Sequence, residues 1–174
     1  MGQKQLVIGM FGFGNVGRGL YDVLNTITSK EATIKRVCVR DLSKERGVEE
    51  KFFTDNANDI FNDKDINLIV ELIDDAEAAY HIVKRALTSG ISAVSGNKKM
   101  LAHHLPELIE LQQKHNVALL YDASACGSIP VIRNLEEYYD NDLLVSVKGI
   151  LNGSSNFILS KIFNENYSYD VALR

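Results

Sequence analysis

Residues 9–20 read GMFGFGNVGRGL, five glycines in twelve positions. The apolar run QLVIGMF (5–11) leads into them. Val16, Leu20, Val23, Leu24 and Ile27 then recur at helical spacing, with Arg18, Asp22 and Asn25 on the other faces. A run too uniformly apolar for one-sided burial predicts a central parallel strand, and the spacing after it predicts an amphipathic helix. Between them stands Gly12-Phe13-Gly14-Asn15-Val16-Gly17, a G-x-G-x-x-G in the strand-to-helix context that gives the pattern its meaning. Gly12 permits a tight turn, Gly14 removes the side chain that would block a pyrophosphate, and Gly17 lets helix and strand pack closely. The helix N-terminus adds N–H groups and the positive end of its dipole. The six residues from Gly12 to Gly17 are thus expected to hold a dinucleotide's phosphates; the rival is a glycine loop without a ligand.

The alternation continues outward from this turn. TIKRVCVR (33–40) and INLIVELI (66–73) read as strands, EAAYHIVKRALTSG (77–90) as a helix ending at a glycine, and ISAVSG (91–96) as a strand. A helix is expected over LPELIELQQKHN (105–116), with Pro106 in its first turn, and a strand over VALLYDA (117–123). Strand and helix in strict turn imply an α/β fold, a Rossmann-like doubly wound parallel sheet. From Leu143 the pattern changes: LLVSVKGIL (143–151) alternates like a strand with one exposed face, and SSNFILSKIFNE (154–165) reads as a capped helix. The expected division is a dinucleotide-binding domain over 1–142 and the beginning of a second domain over 143–174.

Composition bounds the function. The chain has 174 residues, 45% hydrophobic and 24% charged, which suits one globular unit or one with the start of another. A net charge of -4 gives no general attraction to nucleic acid or an anionic membrane, so a phosphate ligand must be held locally. Cys38 and Cys126 are far apart without metal-type spacing. No membrane-length apolar run or signal sequence stands out. The expectation is a soluble, reduced, cytoplasmic protein with no nucleic-acid or membrane partner.

Two segments refine the site. The second strand ends VCVRDLSKERG, with Arg40 first, Asp41 next, and Lys44 and Arg46 behind. An acid there suits the ribose hydroxyl of NAD and an arginine the 2′-phosphate of NADP. The basic cluster favours NADP, with NAD still open and a solvated loop as the rival. AVSGNKKMLAHH (93–104) puts Ser95, Gly96, Asn97 and Lys98 past the fourth long strand, on the edge where such sheets bind ligands. A lysine at such an edge serves proton transfer or anchoring when its surroundings favour it, and is otherwise a surface residue. The adjacent His103 and His104 have no third ligand at metal spacing, so a solvated or capping role is expected of them.

Three segments together resemble homoserine dehydrogenase: GMFGFGNVGRGL, VELIDDAEAAYHIVKRALTSGISAVSGNKKMLAHH, and YDASACGSIPVIRNLEEYYDNDLLVSVKGILNGSSNFILSKI. The last is the most specific, since A-x-x-x-G-x-I-P-x-I-R followed by K-G-I-L-N-G-S-S-N-x-I-L is no generic dinucleotide-binding pattern. The resemblance implies an NAD(P)-dependent oxidoreductase of threonine and methionine biosynthesis, interconverting L-homoserine and L-aspartate 4-semialdehyde by hydride transfer. It implies Lys98 as the catalytic residue, with Lys99 a weaker candidate, and Ser95 beside the nicotinamide half of the cofactor, with Asn97 next to it. It implies Gly153 and Ser154 as contacts to the amino-acid substrate. A monovalent cation such as sodium would fall on Asp122, Ala125, Gly127 and Ile129. It further implies a homodimer in the full-length form.

The departures are as specific. Asp122 replaces a longer glutamate, ACGS replaces a more glycine-rich turn, and Asp74 and Asp75 stand where the family often has glycines. The family's substrate domain also runs well past the segment that ends here. The expectation is therefore a fragment or truncated protein carrying half of the family's site and inactive by itself. The rival from another class is a non-catalytic Rossmann module that binds nicotinamide nucleotide.

Overall fold

The computed structural model describes residues 5–27, 31–127, 129–150 and 152–174. The chain divides into two compact units, Met1–Ser124 and Ala125–Arg174.

The first unit is built on six parallel strands: β1 (Leu6–Phe11), β2 (Ala32–Cys38), β3 (Phe53–Thr54), β4 (Leu68–Glu71), β5 (Ser92–Ser95) and β6 (Leu119–Leu120), in the order β3-β2-β1-β4-β5-β6. The order reverses between β1 and β4, which makes a ligand crevice at their carboxyl ends. The helices are α1 (Asn15–Thr26), α2 (Asn58–Phe61), α3 (Ala76–Thr88) and α4 (Lys98–His115). The doubly wound α/β sheet expected from the sequence is present.

β1 alternates between two cores. Ile8 and Met10 join Val37, Val39 and Val70 on the face where Leu20 and Leu24 of α1 pack. Phe11 and Val7 point to the opposite core of Ile60, Ile69, Val83, Leu87, Met100 and Leu108, supplied by β4 and by α2, α3 and α4. Gly9 lies on that second face, where an added Cβ would overlap Ile60 and come within 3.2 Å of Ile66. Gly9→Ala therefore overpacks the core beside a stiff β-branched residue. The expected result is a loss of about 1–3 kcal/mol, read from urea unfolding.

Two boundaries differ from the sequence expectation. α4 starts at Lys98, seven residues before the predicted helix, so Pro106 lies in the helix interior rather than in its first turn. The early start follows from Asn97, whose side-chain oxygen accepts the Met100 N–H at 2.9 Å. An interior proline costs about 3 kcal/mol. Met100, Leu101 and Leu108 on the same helix are buried, at about 1.5–3 kcal/mol each for side chains of this size, which is enough to hold it. His104 is neither solvated nor capping: its ring stacks on Tyr80 of α3 at 3.9 Å.

The second unit holds α5 (Val131–Tyr138), α6 (Gly153–Glu165) and α7 (Tyr169–Leu173). α6 is the helix expected over 154–165. Its first turn is capped by Asn152, which accepts the Ser155 N–H at 2.9 Å, and Asn166 closes its end in the left-handed conformation. The strand expected over 143–151 does not form at residues 143–150, and Leu151 lies outside the described residues. A strand is stable only when its backbone is paired, and the described residues of this unit hold no strand to pair with it. Leu143 and Val145 are accordingly almost fully exposed, at 87% and 93%. Among the described residues, no helix is long and apolar enough to cross a membrane.

Candidate functional site

Four strand ends line up across the carboxyl edge of the sheet. Cys38 of β2 is in register with Phe11 of β1, Phe11 with Glu71 of β4, and Glu71 with Ser95 of β5. The glycine turn leaves this row between β1 and α1, and the Asn97–Lys98 corner leaves it between β5 and α4. The topology thus brings both sequence-predicted segments to one edge of one unit.

Each glycine of the turn has a separate physical reason. Gly12 has φ +94°, and a Cβ there would lie 2.6 Å from the Leu72 carbonyl oxygen; its N–H donates to the Cys38 carbonyl at 3.0 Å. A Cβ on Gly17 would sit 2.6 Å from the Gly12 carbonyl oxygen, so helix and turn touch there without room for a side chain. Gly14 differs: its Cβ would meet no atom within 4 Å. Packing requires the first and third glycines, while the second guards open space. α1 begins just after it, with Gly14 at the cap position, no side-chain capping bond and no acid in its first turn. Helix geometry leaves the N–H groups of Asn15, Val16 and Gly17 without an intrahelical acceptor, and the first bond formed is Arg18 N–H to the Gly14 carbonyl. The turn therefore presents backbone donors and a positive dipole end to open space at Gly14. Phe13 packs away from it, edge-on to Tyr21 and Phe53.

Beside the turn, Arg40 is exposed just past β2. Asp41 accepts both the backbone N–H and the hydroxyl of Ser43, at 2.9 and 2.6 Å; the Ser43 hydroxyl first, and Arg46 further off, hold its carboxyl below the usual range. Arg46 donates to the carbonyls of Asp41 and Lys44 at 2.7 Å and lies over the Phe53 ring. The basic loop is thereby an ordered surface.

At the other end of the edge, Ser95 and Asn97 are buried and Lys98 is exposed. Glu71, which sequence reasoning passed over, is fully buried between them. Its Oε1 accepts the Ile73 N–H at 2.7 Å and its Oε2 the Ser95 hydroxyl at 2.5 Å. Ser95 Oγ in turn accepts the Asn97 N–H at 3.1 Å, and the Asn97 amide donates to the Ile73 carbonyl at 2.9 Å. Burial pushes the Glu71 carboxyl above its ordinary range, and the nearby Asp74 charge adds to this. The available signal was the one carboxylate closing the apolar run LIVE. Asp75 caps α3 by accepting the Ala78 N–H at 2.8 Å, which gives one of the two unusual aspartates a structural task.

The remaining predicted residues divide between the units. Asp122 opens a short 3₁₀ turn in the first unit. Ala125, Gly127 and Ile129 belong to the second, as do Gly153 and Ser154, the exposed first residues of α6. No cluster of three or more His, Cys, Asp or Glu side chains suited to a metal ion occurs among the described residues.

Residues 12–122 match the family model described as homoserine dehydrogenase, NAD binding domain, and residues 130–174 match that of homoserine dehydrogenase. The chain is 36% identical to the homoserine dehydrogenase of Helicobacter pylori, over 99% of its own length and 42% of that protein's. With that of Lactococcus lactis the identity is 35%, over 95% and 41%. Among solved structures it is similar to a homoserine dehydrogenase from Thiobacillus denitrificans, with TM-score 0.83 and 31% identity over 98% of this chain and 41% of that one. A hyperthermophilic archaeal homoserine dehydrogenase in complex with NADPH gives TM-score 0.78 and 25% identity, over 97% and 59%. The chain thus spans about two-fifths of the length of the curated relatives it matches.

Proposed function

The chain belongs to the homoserine dehydrogenase family, and from that premise we propose that it is the cofactor-binding part of an oxidoreductase that interconverts L-homoserine and L-aspartate 4-semialdehyde. The observation that carries the reading is the open space at Gly14 in front of the uncapped start of α1, between two glycines that packing itself demands. A nicotinamide nucleotide would bring its diphosphate into that open space, and when bound it would supply the hydride chemistry. The backbone N–H groups of Asn15, Val16 and Gly17 hold the phosphates. Ser95 and Asn97 shape the nicotinamide side from within the wall, their side chains being engaged in the buried circuit. Lys98, at the exposed corner, binds the substrate's reacting oxygen and passes its proton as that oxygen changes between hydroxyl and carbonyl.

NADP is the favoured nucleotide. Asp41 directs one carboxylate oxygen to both donors of Ser43, while Arg40 is exposed beside it and suited to a 2′-phosphate. In the same proposal, Gly153 and Ser154 meet the amino-acid substrate, residues 1–142 form the nucleotide domain, and residues 143–174 begin the substrate and dimerisation domain of a cytoplasmic homodimer. The monovalent cation at Asp122, Ala125, Gly127 and Ile129 rests on the resemblance alone.

The test is a fluorescence titration of the purified chain with NADPH and NADH, followed by homoserine and NADP in the same cuvette. Binding with NADPH preferred, by on the order of tenfold or more, supports the assignment, one charged pair to Arg40 being worth about that ratio. Arg40→Ala should erase the preference and leave NADH affinity unchanged. Equal affinity for the two in the wild-type chain removes NADP from the proposal, and binding of neither removes the nucleotide site.

A further inference from the structure

Glu71 stands out as a fully buried carboxylate in the middle of a parallel sheet, where an apolar residue is expected. Its hydrogen bonds form a closed circuit: Ile73 N–H to Glu71 Oε1, Ser95 hydroxyl to Glu71 Oε2, Asn97 N–H to Ser95 Oγ, and Asn97 amide to the Ile73 carbonyl. With Ser95 Oγ accepting from Asn97 and its hydroxyl donating to Glu71, the circuit uses both Glu71 oxygens as acceptors. The circuit fastens two things. On one side it fixes the backbone of residues 72–73, against which Gly12 closes: the Leu72 carbonyl oxygen and the Ile73 Cγ2 would be 2.6 and 3.1 Å from a Cβ there. On the other it fixes Asn97, the cap of α4 that immediately precedes Lys98.

We propose that Glu71 is a positioning residue for the nucleotide site, holding the wall of the glycine turn and the Asn97–Lys98 corner in one register through the Ser95 hydroxyl and the Ile73 backbone. The inference rests on the reading of the glycine turn as a nucleotide site. A carboxyl group raised by burial is held at a cost to the fold, since its charged form is the one disfavoured there. The hydrogen bonds from the Ile73 N–H and the Ser95 hydroxyl offset part of that cost, and what they fasten is the edge of the proposed site.

The test measures NADPH affinity and the thermal unfolding midpoint of the whole chain for wild type, Glu71→Gln, Ser95→Ala and the double variant. Glutamine keeps the shape but offers one accepting oxygen in place of two. The expected result is affinity weakened about tenfold in Glu71→Gln, the worth of one hydrogen bond to a charged acceptor. Its unfolding midpoint should be unchanged or higher. Ser95→Ala breaks the same bond from the other side, and the double variant should be no weaker than the worse single one. If Glu71→Gln fails to fold, Ser95→Ala reads the same bond in its place. Wild-type binding with affinity retained in the variants overturns this inference and leaves the glycine-turn reading standing. The same holds for affinity loss that only follows loss of stability. No NADPH binding by the wild-type chain overturns both.

Discussion

Gly14→Val should abolish nicotinamide-nucleotide binding while costing the fold no more than the change of a helix cap, about 1 kcal/mol. The two halves of that expectation come from one observation: a Cβ at Gly14 meets nothing within 4 Å. The residue's φ of -82° lies outside the left-handed region, so valine escapes the penalty that any side chain meets at Gly12. It does place three carbons in front of the first N–H groups of α1, where a diphosphate has to come within hydrogen-bond distance. The expected loss of NADPH affinity is a hundredfold or more, about 2.7 kcal/mol at the least. Gly12→Ala supplies the contrast. There φ is +94° and the Leu72 carbonyl oxygen would be 2.6 Å away, so the change should cost stability and binding together. Fluorescence titration and thermal unfolding on the two variants separate a glycine kept for a ligand from one kept for the turn. Unchanged affinity in a folded Gly14→Val chain would remove the phosphate role from the turn.

The sheet was legible in the sequence because its strands are short apolar runs punctuated by glycine, and because the helices between them carry their own periodicity. β1, β2, β4 and β5 formed where QLVIGMF, TIKRVCVR, INLIVELI and ISAVSG stand, shortened at their ends. What the sequence concealed was settled by tertiary contact. The two-residue β3 exists only through its pairing with Val37 and Cys38, and the single-turn α2 through the burial of Ile60 beneath Gly9. Neither is long enough to show a period. Pro106 marked a helix start by local rules, yet the Asn97 cap and three buried side chains carried α4 straight through it. The run at 143–151 failed in the opposite way, since its alternation is a strand's while its unit, among the described residues, offers no partner strand. The glycine turn and the Lys98 corner were both visible as motifs. Glu71 was hidden inside a strand, because a lone acid closing an apolar run reads as the strand's exposed end until its neighbours are known.

Lys98→Ala, made in a protein of the relatives' full length that contains this chain, should lower kcat a hundredfold or more, the usual scale for a positioned proton-transfer group. Cofactor affinity should stay within a few-fold, because the proposed phosphate contacts are at α1, on the other corner of the edge. Local physics supports the assignment apart from any resemblance. Lys98 and Lys99 are the first two residues of α4, and no acid stands in that first turn. A cation at the positive end of a helix is unfavourable by about 0.3–1 kcal/mol. Lys98 therefore does not serve the stability of its helix, and its removal should leave unfolding unchanged or slightly harder. Both lysines oppose this local rule, and Lys98 is the proposed one because it directly follows the Asn97 cap that fixes its backbone. Lys99→Ala is the matched control: it relieves the same dipole penalty at the next position and should retain most of the turnover. Steady-state kinetics and unfolding on the two variants decide the matter, since loss in Lys99→Ala with normal turnover in Lys98→Ala would transfer the proton-handling role one residue along the helix.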